Sequence, residues 1–299
     1  MSSPRRYPLL QVDAFAAAPL QGNPCAVLLD TDDLDDAALL AIAREMNLSE
    51  TAFVRRSTRA DFGVRYFTPA EEIPLAGHPT IAAVFALIVS GRLRLEAERT
   101  EITLEMPAGV IPVEIFASPP EVQRIVMRQN RPHFGAALDP QEVLPLFGLT
   151  AGDALPGALP QVVSTGTPQL MVPLRSLDAL RRARLDADAY AAFRQRERFF
   201  SPHLFCLQGL TPQGRTFARH FGLPPDTPED PVTGSATGGM AAYLWHHGLI
   251  ETPVFIAEQG HWMGRPGQVF VEVVGPPEAI ETVKIGGRAA LVLRGTLTL

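Results

Sequence analysis

Two stretches of the chain gather residue types that bind anions or move protons. The first is Ala76-Gly77-His78-Pro79-Thr80, followed by the apolar run from Ile81 to Val89. The second is Asp230-Pro231-Val232-Thr233-Gly234-Ser235-Ala236-Thr237, again followed by a small-residue, apolar stretch. Both following segments, 79–90 and 236–247, are apolar or small on nearly every face and read as buried helices. A helix start offers unpaired N–H groups and the positive end of the helix dipole, so it attracts anions. Gly77 and Gly234 let a ligand approach the backbone, while His78 and Ser235 add side-chain donors. Two such starts suit a carboxylate. The plainer alternative is ordinary capping, with Thr233 or Ser235 satisfying the first turn.

Glu50 is the sharpest single candidate for chemistry. It stands in Asn47-Leu48-Ser49-Glu50-Thr51-Ala52-Phe53, where a helix gives way to an apolar strand. Most glutamates are solvated surface groups. One held at the end of an apolar strand is suited to take a proton and return it, because burial favours the neutral acid. Asp230 is the second carboxylate of interest, because the first copy of the motif has Ile73 or Pro74 at the comparable distance before Gly77. Other chemistries lack their patterns. There is no H-E-x-x-H, no G-x-S-x-G, no P-loop and no G-x-G-x-x-G. Cys25 and Cys206 lack C-x-x-C spacing and read as inert core thiols.

The elements that must position these residues occur twice. Arg65-Tyr66-Phe67 precedes the first motif and Arg219-His220-Phe221 the second, each across a loop bearing Pro and Glu. Gln11-Val12 leading to Gly22-Asn23-Pro24 is answered by Gln161-Val162 leading to Gly166-Thr167-Pro168, and Ser49 to Phe53 aligns with Ser201 to Phe205. In that alignment Pro202 falls opposite Glu50. Two copies about 150 residues apart describe a duplicated domain rather than a solenoid. Short β-like runs bounded by Pro, Gly and Asn alternate with a helix capped by Asp32 or Asp33 and ending at Asn47, and with outer helices over 142–147 and 187–198. The expectation is an α+β fold of two pseudo-symmetric lobes, each a β-sheet curled around a central helix, with a site at their junction. A Pro-rich linker at Ala117-Ser118-Pro119-Pro120 divides residues 1–118 from 119–286.

The 299 residues are enough for two such domains, and the 46% hydrophobic and 19% charged content is that of a globular protein. A net charge of -6 with no basic cluster beyond Arg181-Arg182 argues against nucleic acid as a partner. The longest apolar run, Ile81 to Val89, is far short of the roughly 20 residues of a membrane span. Pro8, Gln11 and Asp13 interrupt any signal-peptide core. A soluble, cytoplasmic protein with no membrane partner is expected.

The matching stretches Gly22-Asn23-Pro24, Asn47 to Thr51, Ala76 to Thr80, Ser164 to Pro168, Asp230 to Ala236 and Gly286-Gly287-Arg288 resemble the PhzF-like proteins of the phenazine-biosynthesis isomerase family, within the diaminopimelate-epimerase-like fold. The resemblance covers nearly the whole chain in order. It implies an active site in the cleft between two similar lobes, a homodimer, a C-terminal strand (287–299) returning to the first lobe, and no metal or organic cofactor. It assigns Glu50 as proton-transferring acid/base, with catalytic His78, Asp230 and Ser235 orienting it or binding substrate beside Gly77, Gly234 and Thr233. The related two-thiol epimerases carry Cys immediately before each helix-start Gly; here those positions are Ala76 and Thr233. The reading is a cofactor-independent isomerase that moves a proton between carbons of a small carboxylate-bearing metabolite, similar to trans-2,3-dihydro-3-hydroxyanthranilate isomerase. The rivals are a non-catalytic small-molecule-binding protein, or an epimerase of an amino-acid-like substrate, which would need a second base that Pro202 cannot provide.

Overall fold

The computed structural model describes residues 4–224 and 227–299, and the fold is mixed α/β. The chain divides into two compact units, Met1–Arg128 with Gly286–Leu299, and Gln129–Ile285.

In the first unit the chain runs β1 (Arg6–Ala14), β2 (Asn23–Leu28), α1 (Asp36–Met46), β3 (Thr51–Arg55), β4 (Phe62–Phe67), β5 (Glu72–Ile73), α2 (His78–Val89), β6 (Arg99–Met106), β7 (Gly109–Ser118) and β8 (Glu121–Arg128). The C-terminal strand Ala289–Thr298 pairs antiparallel with β1, from Thr298 opposite Arg6 to Ala289 opposite Ala14. From that strand the order is β1, β2, β3, β4, β6, β7, β8, with β5 added to β4. Only β2–β3 and β4–β6 are parallel, and a helix bridges each of those steps, as a parallel connection requires. Helix α2 buries nearly every position, from His78 to Leu87, against β1, β2, β3, β8 and the C-terminal strand. Helix α1 ends as expected, with Asn47 in the left-handed region at φ 50. Its cap is Asp35, whose side chain accepts from Ala38 N at 2.9 Å, rather than Asp32 or Asp33. Those two are engaged elsewhere: Asp32 accepts from Arg56 N and Asp33 from the Tyr7 hydroxyl. Pro119-Pro120 is the turn of the β7–β8 hairpin, inside this unit, so the division falls later, after Arg128.

The second unit runs β9 (His133–Ala137), α3 (Pro140–Val143), a 3-10 turn (Leu144–Phe147), β10 (Gln161–Ser164), β11 (Pro168–Pro173), α4 (Leu177–Arg182), α5 (Ala187–Glu197), β12 (Ser201–Cys206), β13 (Gly214–Phe221), β14 (Glu229–Asp230), α6 (Gly234–His246), β15 (Val254–Gln259) and β16 (Gly267–Val274). Its strand order, β9, β10, β11, β12, β13, β15, β16, repeats the pattern of the first unit, with β11–β12 and β13–β15 the parallel steps and β14 added to β13. Helix α6 packs on β10, β11, β12 and β16. The helices outside this sheet bury Val143, Leu144, Phe147, Leu180, Tyr190 and Phe193 in one cluster with Leu204, Phe217 and Phe221.

Strand register settles how the two copies correspond. Tyr66 lies opposite Ala52 on one side and Ile73 on the other; His220 lies opposite His203 and Asp230. Likewise Ala26 pairs with Thr51 where Leu170 pairs with Pro202. Asp230 therefore corresponds to Ile73, Pro202 to Thr51, and Ser201, not Pro202, to Glu50. The correspondence expected from sequence is off by one position here, because β3 and β12 are buried on both faces and carry no in–out alternation to mark their register.

The Arg landmarks of the repeat are structural. Arg65 holds Glu72 through two hydrogen bonds of 2.6 Å, and Arg219 holds Glu229 through bonds of 2.8 and 2.7 Å. Each guanidinium also lies over a Phe of its own strand, Phe67 or Phe221. These bidentate pairs clamp β5 to β4 and β14 to β13, just ahead of each helix start. Arg219 additionally donates to the carbonyls of Leu180 and Ala183, and its side chain is 12% exposed against 21% for Glu229. Arg219→Met leaves a half-buried carboxylate and two carbonyls without their cation, so a loss of about 3 kcal/mol is expected. In thermal unfolding this reads as a fall of about 6–12 °C for a unit of this size. An unchanged midpoint would show that the clamp contributes nothing.

Candidate active site

In the first unit three segments converge on His78. Gly22 ends the β1–β2 turn at φ +58, and a Cβ there would lie 2.1 Å from Ala14 O, so only glycine lets the chain turn so tightly into β2. The next residue, Asn23, is fully buried, and its Nδ2 lies 3.1 Å from His78 Nδ1. Glu50 precedes β3 directly, and its Oε2 lies 3.3 Å from His78 Nε2. His78 is 3% exposed, and burial holds its pKa down to about 3. The imidazole is neutral near pH 7. Its contact with Glu50 is thus a neutral group against a carboxylate, not an ion pair.

Helix α2 starts without a capping side chain: Gly77 occupies the cap position with αR backbone angles, and Pro79 follows within the first turn. Thr80 turns inward, donating to Ala76 O at 2.6 Å and accepting from the Tyr66 hydroxyl at 2.8 Å. The plain capping reading fails here. Cys25, beside this group on β2, has a thiol pKa pushed well up, first by burial and then by the Glu50 charge. It is not a thiolate base.

In the second unit Asp230, on β14, accepts from the Thr233 hydroxyl at 2.5 Å. Thr233 occupies the cap position of α6 but makes no side-chain cap bond, and Ser235 makes none either. Gln259, at the end of β15, holds the Asp230–Thr233 loop from behind: its Nε2 donates to Asp230 O at 2.7 Å and its Oε1 accepts from Thr233 N at 3.1 Å. Gly260, at φ +83, lets this strand end approach, because a Cβ there would stand 2.6 Å from Pro231 O and 2.3 Å from Arg265 O. Gln169 Nε2 donates to Ser235 Oγ at 3.1 Å, and Gln129 Nε2 to Gly234 O at 3.0 Å. Three buried glutamines thus surround the start of α6, and sequence reasoning passed over all of them as site residues. Gln169 had a usable signal: it follows the Gly166-Thr167-Pro168 motif at the position that Cys25 occupies in the first copy.

The structure thus joins Glu50, His78 and Gly77 in the first unit, and Asp230, Thr233, Gly234 and Ser235 in the second. His203 and His220, side by side at 3.3 Å between Nδ1 atoms, are buried and held neutral, and His220 lies across the strand pair from Asp230. Cys206 has its thiol pushed up to about 11 by burial. Among the described residues no group of three His, Cys, Asp or Glu side chains is placed to hold a metal ion, and no helix is long and apolar enough to cross a membrane.

A mixed α/β chain with a carboxylate against a neutral imidazole at one uncapped helix start, and an Asp–Thr pair at another, has the equipment of an isomerase that handles protons. The model of the phenazine biosynthesis-like (PhzC-PhzF) proteins matches residues 12–295. An uncharacterized isomerase of Clostridium acetobutylicum is 33% identical, with 99% of each chain covered. The trans-2,3-dihydro-3-hydroxyanthranilate isomerase of Pseudomonas fluorescens is 34% identical over 96% of this chain and 98% of its own. The crystal structure of a PhzF-family phenazine biosynthesis protein from Bacillus anthracis superposes with a TM-score of 0.88 at 30% identity, covering 99% of this chain and 100% of that one. The chain belongs to the PhzF family, and it is a PhzF-like isomerase.

Proposed function

We propose that the protein moves a proton between two carbons of a small, carboxylate-bearing metabolite, using side chains and backbone alone. The observation that carries this reading is the Glu50 carboxylate set 3.3 Å from a buried, neutral His78 at a helix start with no side-chain cap. Glu50 takes the proton from a C–H activated by conjugation with the substrate carboxylate, and the C–H electron pair enters that conjugated system. The double bonds shift, and the carboxylic acid of Glu50, whose proton exchanges with solvent, returns one proton at another carbon. Nothing is gained or lost overall. His78 holds the base in place. Amides at the start of α2, with Gly77, spread the developing negative charge, and the family resemblance assigns substrate binding to Asp230, Thr233, Gly234 and Ser235 at the start of α6.

The substrate class follows the relatives: a cyclic dihydro-hydroxyanthranilate-like acid. The same reading holds for two pseudo-symmetric lobes, supported by the repeated strand order, and for a homodimer, which the family resemblance implies. A single base favours isomerisation over epimerisation. Ser201, which corresponds to Glu50 in the second unit, is a hydroxyl and no base at neutral pH, which removes the symmetric partner that a two-base inversion requires.

The test is incubation of trans-2,3-dihydro-3-hydroxyanthranilate and related acids in deuterated water, with product analysed by mass spectrometry and NMR. Deuterium at the receiving carbon, from exchange of the Glu50 acid with solvent, supports the reading. Tight binding of these acids by calorimetry with no conversion would replace it with the binding-protein alternative.

A further inference from the structure

We infer that Asn23 is a positioning residue that fixes the tautomer of His78, placing the imidazole proton on Nε2, where it faces Glu50. This rests on the reading of Glu50 as the base. Asn23 Nδ2 lies 3.1 Å from His78 Nδ1, and an amide nitrogen can only donate. With the amide in this orientation Nδ1 accepts, and in the neutral ring the proton then resides on Nε2. That nitrogen is the one 3.3 Å from Glu50 Oε2. Both residues are buried, Asn23 at 0% and His78 at 3% exposed, so water does not compete for the ring.

The chain spends structure on this arrangement. Asn23 opens β2 directly after Gly22, whose tight turn against Ala14 fixes where β2 begins. Asn23 then pairs with Ala14 of β1, which fixes its backbone in register. In the second unit Thr167 occupies the position of Asn23 and Ser235 that of His78, and a hydroxyl needs no tautomer lock. An Nε2–H turned toward Glu50 offers Oε2 a donor, and a donor favours the carboxylate over the acid. At 3.3 Å the two atoms make no hydrogen bond with each other in this structure, and catalytic contacts of this kind tighten once substrate is bound.

The experiment reads the tautomer directly. Long-range 1H–15N spectra of the 15N-histidine-labelled full chain, assigned through a His78→Gln variant, report which ring nitrogen carries the proton. The expected result is Nε2-protonated His78 in the wild type. Asn23→Asp replaces the donor with an acceptor and is expected to move the proton to Nδ1, lowering kcat about 10–100-fold with KM nearly unchanged. An Nδ1-protonated wild-type ring overturns the inference, and that measurement needs no variant at Asn23 to fold. So does an Asn23→Asp protein with unchanged tautomer. If the wild-type ring is Nε2-protonated but Glu50→Gln still turns over, the base assignment falls and the tautomer lock stands.

Discussion

Glu50→Gln is expected to lower kcat about 10²–10⁴-fold, the range that a positioned general base contributes. At about 1.4 kcal/mol per factor of ten, this is a loss of roughly 3–5 kcal/mol of transition-state stabilisation. The amide keeps the shape of the carboxylate and can still accept from His78 Nε2, so the fold should survive and KM should move little. The loss then falls on kcat and kcat/KM together, the signature of an interaction made in the transition state. Solvent deuterium should cease to enter the product in parallel. A variant that retains turnover within tenfold of the wild type removes Glu50 from the proton transfer. Ser235→Ala offers the contrast: as a substrate donor it should raise KM.

Acid should unfold this protein earlier than its carboxylates alone require. Burial holds the pKa of His78 and of His220 down to about 3, and that of His203 well below its ordinary value, by burial and then by His220. Above pH 6.5 these rings are neutral whether the chain is folded or not, so their contribution is fully present. As pH falls below about 6.5 the unfolded chain binds protons that the native rings refuse, and stability drops by about 1.4 kcal/mol per pH unit for each. The loss continues until the folded pKa is reached near 3. Urea midpoints should therefore fall steeply between pH 6.5 and 4.5, a window above the titration of ordinary carboxylates. Total stabilities of 5–15 kcal/mol are typical, so global unfolding is expected at about pH 4. The first unit shows how to blunt the effect, since Ala52 and Tyr66 stand where His203 and His220 stand in the second. His203→Ala with His220→Tyr should flatten the pH dependence, with the new hydroxyl facing Thr237 as Tyr66 faces Thr80. Stability constant from pH 7 to 4.5 in the wild type would show that the buried rings are protonated in the fold.

The sequence by itself showed a repeated order of landmarks and, in each repeat, a buried helix opened by a glycine, and it singled out Glu50 and His78 as candidates. It could do so because those signals are local: an apolar run without a polar face, a glycine at a helix start, a carboxylate where helix meets strand. Tertiary structure decided the rest. Register made Ser201 the counterpart of Glu50, since pairing is set across strands, and β3 and β12 are apolar and buried on both faces, so they lack the alternation that would expose a shift of one. Competition among neighbouring aspartates gave the α1 cap to Asp35, because Tyr7 and Arg56, distant in sequence, claim Asp33 and Asp32. The Pro119-Pro120 pair, which reads as a linker, is a hairpin turn because β7 and β8 continue on either side of it. The glutamines around α6, the Asn23–His78 contact and the neutrality of His78 depend on burial and on partners 26 to 105 positions away or on distances between rings and carboxylates. Which side chain meets which across the fold, and which nitrogen carries a proton, are properties of three-dimensional packing that no local pattern encodes.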